Sequence, residues 1–171
     1  MKAWLWSGAA MWLAACTPAL DWREWRPEGS GLAVLMPCKP DSQARDVSLA
    51  DMPLRLTLQA CNAGDVTWAL AFADVGDPAQ VGKALDELRA SALNNLQASE
   101  SVPLPLQVEG ATPHAASQRL QFAGRMPDGR AVTEQTAVFA KGTRVFQAVA
   151  LGPTLEPEAV ASFFGSLRFA P

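Results

Sequence analysis

The chain has 171 residues, 49% of them hydrophobic and 18% charged, with 14 Lys and Arg against 17 Asp and Glu. That much apolar material with so small a net charge excludes a disordered chain, and the 13 Pro and 12 Gly follow no period, which excludes collagen-like and low-complexity readings. A weakly acidic chain also lacks the basic footprint of a nucleic-acid binder.

The chain opens with a single charge at Lys2, followed by apolar and small residues over positions 3–15. A membrane span needs roughly 20 apolar residues to cross about 30 Å of hydrocarbon, so this stretch has the length of a secretory leader instead. It ends in Leu13-Ala14-Ala15-Cys16. A branched apolar residue, two small ones and a Cys in this position resemble the lipobox of bacterial lipoproteins. The small residues admit a peptidase to the backbone, and the Cys thiol accepts a diacylglyceryl group. The resemblance implies that residues 1–15 are a signal peptide cleaved between Ala15 and Cys16, and that Cys16 is lipidated and then acylated on its new amino group. Residues 16–21 then form a tether and 22–171 a single domain. One acyl chain is a marginal anchor at about 0.8 kcal/mol per methylene, whereas two or three hold a protein stably on a bilayer. Thr17 follows Cys16, where such lipoproteins commonly carry Asp when retained in the inner membrane. The outer membrane is therefore the expected location, with the domain facing the periplasm.

Trp22 and Trp25 suit either the headgroup zone or a short first strand packed on the domain; the strand is favoured, turned by Gly29-Ser30-Gly31 into a second at 32–36. Pro37 and Pro40 stop it, since proline donates nothing to a ladder. Residues 41–52 read as a polar loop, and Asp41, Asp46 and Asp51 do not have calcium-loop spacing. Leu54, Leu56 and Leu58 alternate with polar residues and mark a half-buried strand. Asn62-Ala63-Gly64-Asp65 is a turn. Trp68, Leu70 and Phe72 then alternate with Ala69, Ala71 and Ala73, as in a central strand covered on its large side.

With Cys16 lipidated, Cys38 and Cys61 are the remaining two of three thiols. An exported chain sits where disulfides persist, and only one pairing is possible. Closing the loop contributes roughly 3 kcal/mol in the chain-entropy account. Neither Cys has a second Cys or a His at metal-ligand spacing. Cys61 lies on the parity opposite the three Leu, which points to a bridge at a strand end or on an outer face.

Asp77-Pro78-Ala79-Gln80 starts a helix: Asp caps, Pro suits the first turn and Gln can reach back. Val81, Leu85, Leu88, Ala92 and Leu96 recur at helical spacing over some twenty residues, to about Gln97, before a breaker at 99–105. Strands are expected at 106–109, 116–125, 130–140 and 143–151, the last three joined by turns at Met126-Pro127-Asp128-Gly129 and Lys141-Gly142. Glu156-Pro157-Glu158 opens a short second helix with acids at its positive end, and Val160, Phe163, Phe164 and Leu167 form its buried stripe. The expected fold class is α+β: a single antiparallel sheet with one long and one short helix packed against it. This order resembles the sandwich shared by PsbP and Mog1-like proteins. The segment 31–40 is similar to the opening of a group of exported bacterial proteins of unassigned role. Neither likeness transfers a functional residue.

No nucleophile elbow, Ser-x-x-Lys, phosphate loop or His-rich metal motif is present, and no cofactor is implied. The one His, His114, falls in a loop beside Pro113; a triad would need a nucleophile and an acid around it. Asp86, Glu87 and Glu134 are the carboxylates from which an acid/base pair could be drawn. The leading expectation is a non-catalytic binding or assembly module on the membrane, with an envelope protein as partner. A small-molecule or lipid carrier would need an apolar cavity between sheet and helix. A hydrolase would need His114 or the carboxylates to converge.

Overall fold

A computed structural model describes residues 20–170, so Ala15 and Cys16 lie outside the described part of the chain. Among the described residues ten strands and two α-helices follow in order: β1 (Arg23–Trp25), β2 (Leu32–Met36), β3 (Asp41–Leu49), β4 (Met52–Ala63), β5 (Val66–Asp74), α1 (Val81–Asn95), β6 (Val102–Leu104), β7 (Gln118–Arg125), β8 (Ala131–Lys141), β9 (Arg144–Gly152), α2 (Pro157–Gly165) and β10 (Arg168–Phe169). Seven strands form an antiparallel sheet in the order β3-β4-β5-β9-β8-β7-β6, and β1-β2-β10 form a small second sheet. The fold is α+β as expected, with the small sheet as an additional layer. No helix among the described residues is long and apolar enough to cross a membrane.

Strand alternation explains the layering, because successive side chains point to opposite faces. On one face, Leu56, Ala71, Ala73, Val138 and Val145 pack against Val81, Ala84, Leu85 and Leu88 of α1. On the other, Trp68, Leu70, Phe139 and Phe146 pack against β2 and against Val160, Phe163 and Phe164 of α2. β5 is thus covered on both faces, not on its large side alone. Its small Ala face leaves room for α1, while its large face meets the α2 layer. There Trp68 stands edge-on to Trp22 at 5.8 Å and to Phe163 at 5.2 Å, and Phe139 stacks on Phe146 at 5.3 Å. Large rings fill the space between β5, β8, β9 and α2.

Residues 41–49 are strand, not the polar loop that composition suggests. β3 is an edge strand whose side chains are mostly exposed, so no apolar alternation announces it. Its backbone pairs with β4 along its whole length, from Asp41↔Ala60 to Leu49↔Met52. The connecting turn places Ala50 and Asp51 at φ 52° and 59°. Left-handed backbone costs roughly 1–2 kcal/mol per non-glycine residue, and Ala-Asp is a poor hairpin signal. Two α1 side chains hold the turn: the Ala50 N–H donates to Glu87 Oε2 at 2.7 Å, and Lys83 pairs with Asp51.

A second difference lies at 99–109. The strand there is β6, within the expected breaker, while 106–109 is not strand. Pro103 is tolerated because β6 is the opposite edge and pairs only with β7. The apolar spacing of Leu106 and Val108 reports burial against the α2-side core rather than ladder pairing. The long helix is shorter than expected. Asp77 Oδ1 accepts from the Ala79 N–H at 2.9 Å and opens a 3-10 turn before α1. At the far end Gln97, at φ 54°, closes the helix with bonds from Gln97 N–H to Asn94 and from Ala98 N–H to Leu93, a Schellman arrangement without glycine.

Candidate functional site

Cys38 and Cys61 are bridged, with Cα atoms 5.9 Å apart. Cys61 sits near the end of β4 on the parity opposite Leu54, Leu56 and Leu58. That face is not an outer one, however: it is the second buried face, packed with Trp68 beneath the small sheet and α2. The bridge fastens the chain just after β2 to the large sheet. Immediately before it, the Asp21 N–H donates to the Pro37 carbonyl at 2.9 Å, and Trp25 Nε1 donates to Gln59 Oε1 at 2.6 Å. Both Trp22 and Trp25 therefore pack on the body.

The three carboxylates of the acid/base reading do not come together. Asp86 pairs with Arg89 one turn along α1. Glu87 is committed to the β3–β4 turn. Glu134 lies on β8, and among the described residues no hydrogen bond or ion pair joins it to Asp86 or Glu87. It is 6% exposed, between its cross-strand neighbours Phe122 and Leu151, and burial pushes its carboxyl up to about 7. His114 lines an open groove of about 570 Å³ with Leu106, Val108, Thr112, Ser117 and Phe139. Its Nδ1 accepts from the Ala116 N–H at 3.1 Å, so the neutral ring carries its proton on Nε2. The Ser117 Oγ is buried in the same region with no hydrogen-bond partner among the described residues. No cluster of His, Cys, Asp and Glu suited to a metal occurs among the described residues.

The most site-like constellation involves residues the sequence did not single out. Arg119 and Gln121 on β7 and Gln135 on β8 share the face that α2 covers. Gln121 and Gln135 are direct cross-strand partners, and Arg119 lies one pleat away. Together they line a cleft of about 490 Å³ whose other walls are Leu104, Leu155 and the first turn of α2. The Arg119 guanidinium stacks on the Phe164 ring at 4.0 Å and donates from Nη2 to Gln135 Oε1 at 2.6 Å. Gln135 Nε2 in turn donates to Gln121 Oε1 at 2.7 Å. No carboxylate pairs with Arg119 among the described residues, its Nε is buried without a partner, and burial pulls its pKa below the ordinary arginine value.

In the sequence, Arg119 and Gln121 alternate with Leu120 and Phe122 and read as a solvent-facing half of a strand. The turn expected at 126–129 would set Gln121 opposite Glu134; the observed pairing of Arg125 with Ala131 is one residue longer and brings Gln121 opposite Gln135. Nothing local signals that α2, more than thirty residues later, folds over them. No protein-family model matches the chain, and no curated protein is significantly similar to it.

Proposed function

We propose that this chain is a lipid-anchored protein of the bacterial envelope, whose α+β body is a non-catalytic binding or assembly module facing the periplasm. The observation that carries the anchor is Leu13-Ala14-Ala15-Cys16, placed after a charge and a short apolar run. The disulfide supports the same compartment: Cys38 and Cys61 are bridged, and such bonds persist outside the reducing cytosol. Two or three acyl chains on Cys16 give a stable hold. Among the described residues the body is already joined at Asp21, whose N–H donates to Pro37, so at about 3.5 Å per residue the Pro37–Cys38 end stays within roughly 18 Å of the lipid. Thr17 favours the outer membrane. Binding is preferred to carriage of a lipid because Trp68, Phe163, Phe139 and Phe146 occupy the space between β5, β8, β9 and α2 that a lipid-sized cargo would need.

Cys16→Ser tests the anchor. The wild-type chain is expected in the membrane fraction with an intact mass lacking residues 1–15 and gaining acyl groups, and the variant as an uncleaved precursor. Normal processing of the variant, or an unmodified thiol in the mature wild-type protein, defeats the assignment. In-cell crosslinking then identifies the partner that the body holds.

A further inference from the structure

The α2-facing side of the β7–β8 hairpin carries a cation, Arg119, that no carboxylate among the described residues matches. A half-buried guanidinium normally has a carboxylate beside it, because desolvating a charge is costly unless it is paired. Arg119 has a neutral amide and an aromatic ring instead.

The hydrogen-bond directions around it are forced. Arginine only donates, so Gln135 must turn its carbonyl oxygen to Arg119 and its amide nitrogen to Gln121. Gln121 accepts with its oxygen, which leaves its own amide nitrogen over. The side-chain nitrogens left over in the cleft, the rest of the Arg119 fork and Gln121 Nε2, are therefore donors. The first turn of α2 lines the same cleft with the positive end of its dipole. Neither Glu156 nor Glu158 lines it.

We propose that this cleft binds a carboxylate borne on a short apolar chain. A carboxylate is acceptor-only and matches a guanidinium fork. A single cation suits a monoanion better than a phosphate dianion. Leu104, Leu155 and Val160 supply the apolar wall that a short alkyl chain or an apolar side chain would cover. The volume falls in the range of small-molecule sites, roughly 300–1,000 Å³. This inference deepens the binding-module reading and rests on it, though not on the anchor.

The test is calorimetric titration of the mature protein as purified from membranes, in nonionic micelles, with sodium hexanoate, neutral hexanamide and inorganic phosphate, each corrected for a micelle blank. Hexanoate is expected to bind saturably and roughly tenfold or more tighter than either comparison compound, the worth of one charge-assisted hydrogen bond. Arg119→Gln is expected to remove that preference. Gln135→Glu guards against a variant that merely misfolds: it sets a carboxylate at the 2.6 Å contact with Arg119. This variant is expected to melt higher than wild type and to lose hexanoate binding. Wild-type affinity in Gln135→Glu, equal binding of phosphate, or no saturable heat with hexanoate each overturns the proposal. Intact mass on the same preparation separates the two readings. A lipidated protein that ignores hexanoate removes the cleft alone, and an unlipidated one that binds it removes the anchor alone.

Discussion

Glu134 makes stability depend on pH in a direction opposite to that of most carboxylates. It is 6% exposed between Phe122 and Leu151, and desolvation alone moves its pKa, from 4.5 up to about 7. Below pH 4.5 the group is protonated in both folded and unfolded chains and costs nothing. Between 4.5 and 7 the unfolded chain releases the proton while the folded chain keeps it, so stability falls as pH rises. Above 7 the penalty is complete. At about 1.4 kcal/mol per pH unit, the gap amounts to about 3 kcal/mol. Glu134→Gln keeps the shape and removes the charge. It is expected to match wild type at pH 4 and to be about 3 kcal/mol more stable at pH 8, or roughly 6–12 °C in Tm for a domain of this size. Urea titrations followed by tryptophan fluorescence, at fixed ionic strength and with the disulfide intact, measure both ends. Other acids titrate equally in the two proteins, so the difference between them isolates this residue. An offset that is the same at pH 4 and pH 8 would place the effect in packing, and no offset at either would mean that the carboxylate is solvated. Both outcomes refute the reasoning.

Two further outcomes test the packing. Replacing Cys38 and Cys61 together by Ser opens a loop with a sequence separation of 23, and should lower stability by about 3 kcal/mol; an unchanged urea midpoint would refute that. At Gly124 a Cβ would stand 2.5 Å from the Leu96 carbonyl oxygen, which already accepts from the Arg125 N–H at 2.9 Å. Gly124→Ala should therefore cost about 1–3 kcal/mol by overpacking. Gly165→Ala, with nothing within 4 Å, should be neutral or stabilising by about 0.5 kcal/mol in the same denaturation assay.

Elements that bury one regular face were legible in the chain. The alternation of Leu54, Leu56 and Leu58, the 3.6-residue stripe of Val81, Leu85 and Leu88, and the apolar stripe of Val160, Phe163 and Phe164 all became β4, α1 and α2. β3 was illegible because its side chains are mostly solvated on both faces; only backbone pairing with β4 makes it a strand. β6 was hidden by Pro103, which an edge strand tolerates. The bridge partners followed from counting, but not its burial. Parity assigned Cys61 to the face away from the Leu without telling that a second layer covers that face.

Local patterning alone determined the disulfide pairing and the period of each well-buried element, because each depends on residues close in the chain or on elimination. The Arg119 cleft and the ionisation of Glu134 were decided by tertiary structure. Both side chains lie on strands whose own sequences look ordinary. What changes their chemistry is removal of water by partners distant in the chain: α2 over Arg119, and the neighbouring strands around Glu134. Desolvation is a property of what covers a group, and only the folded chain specifies the cover.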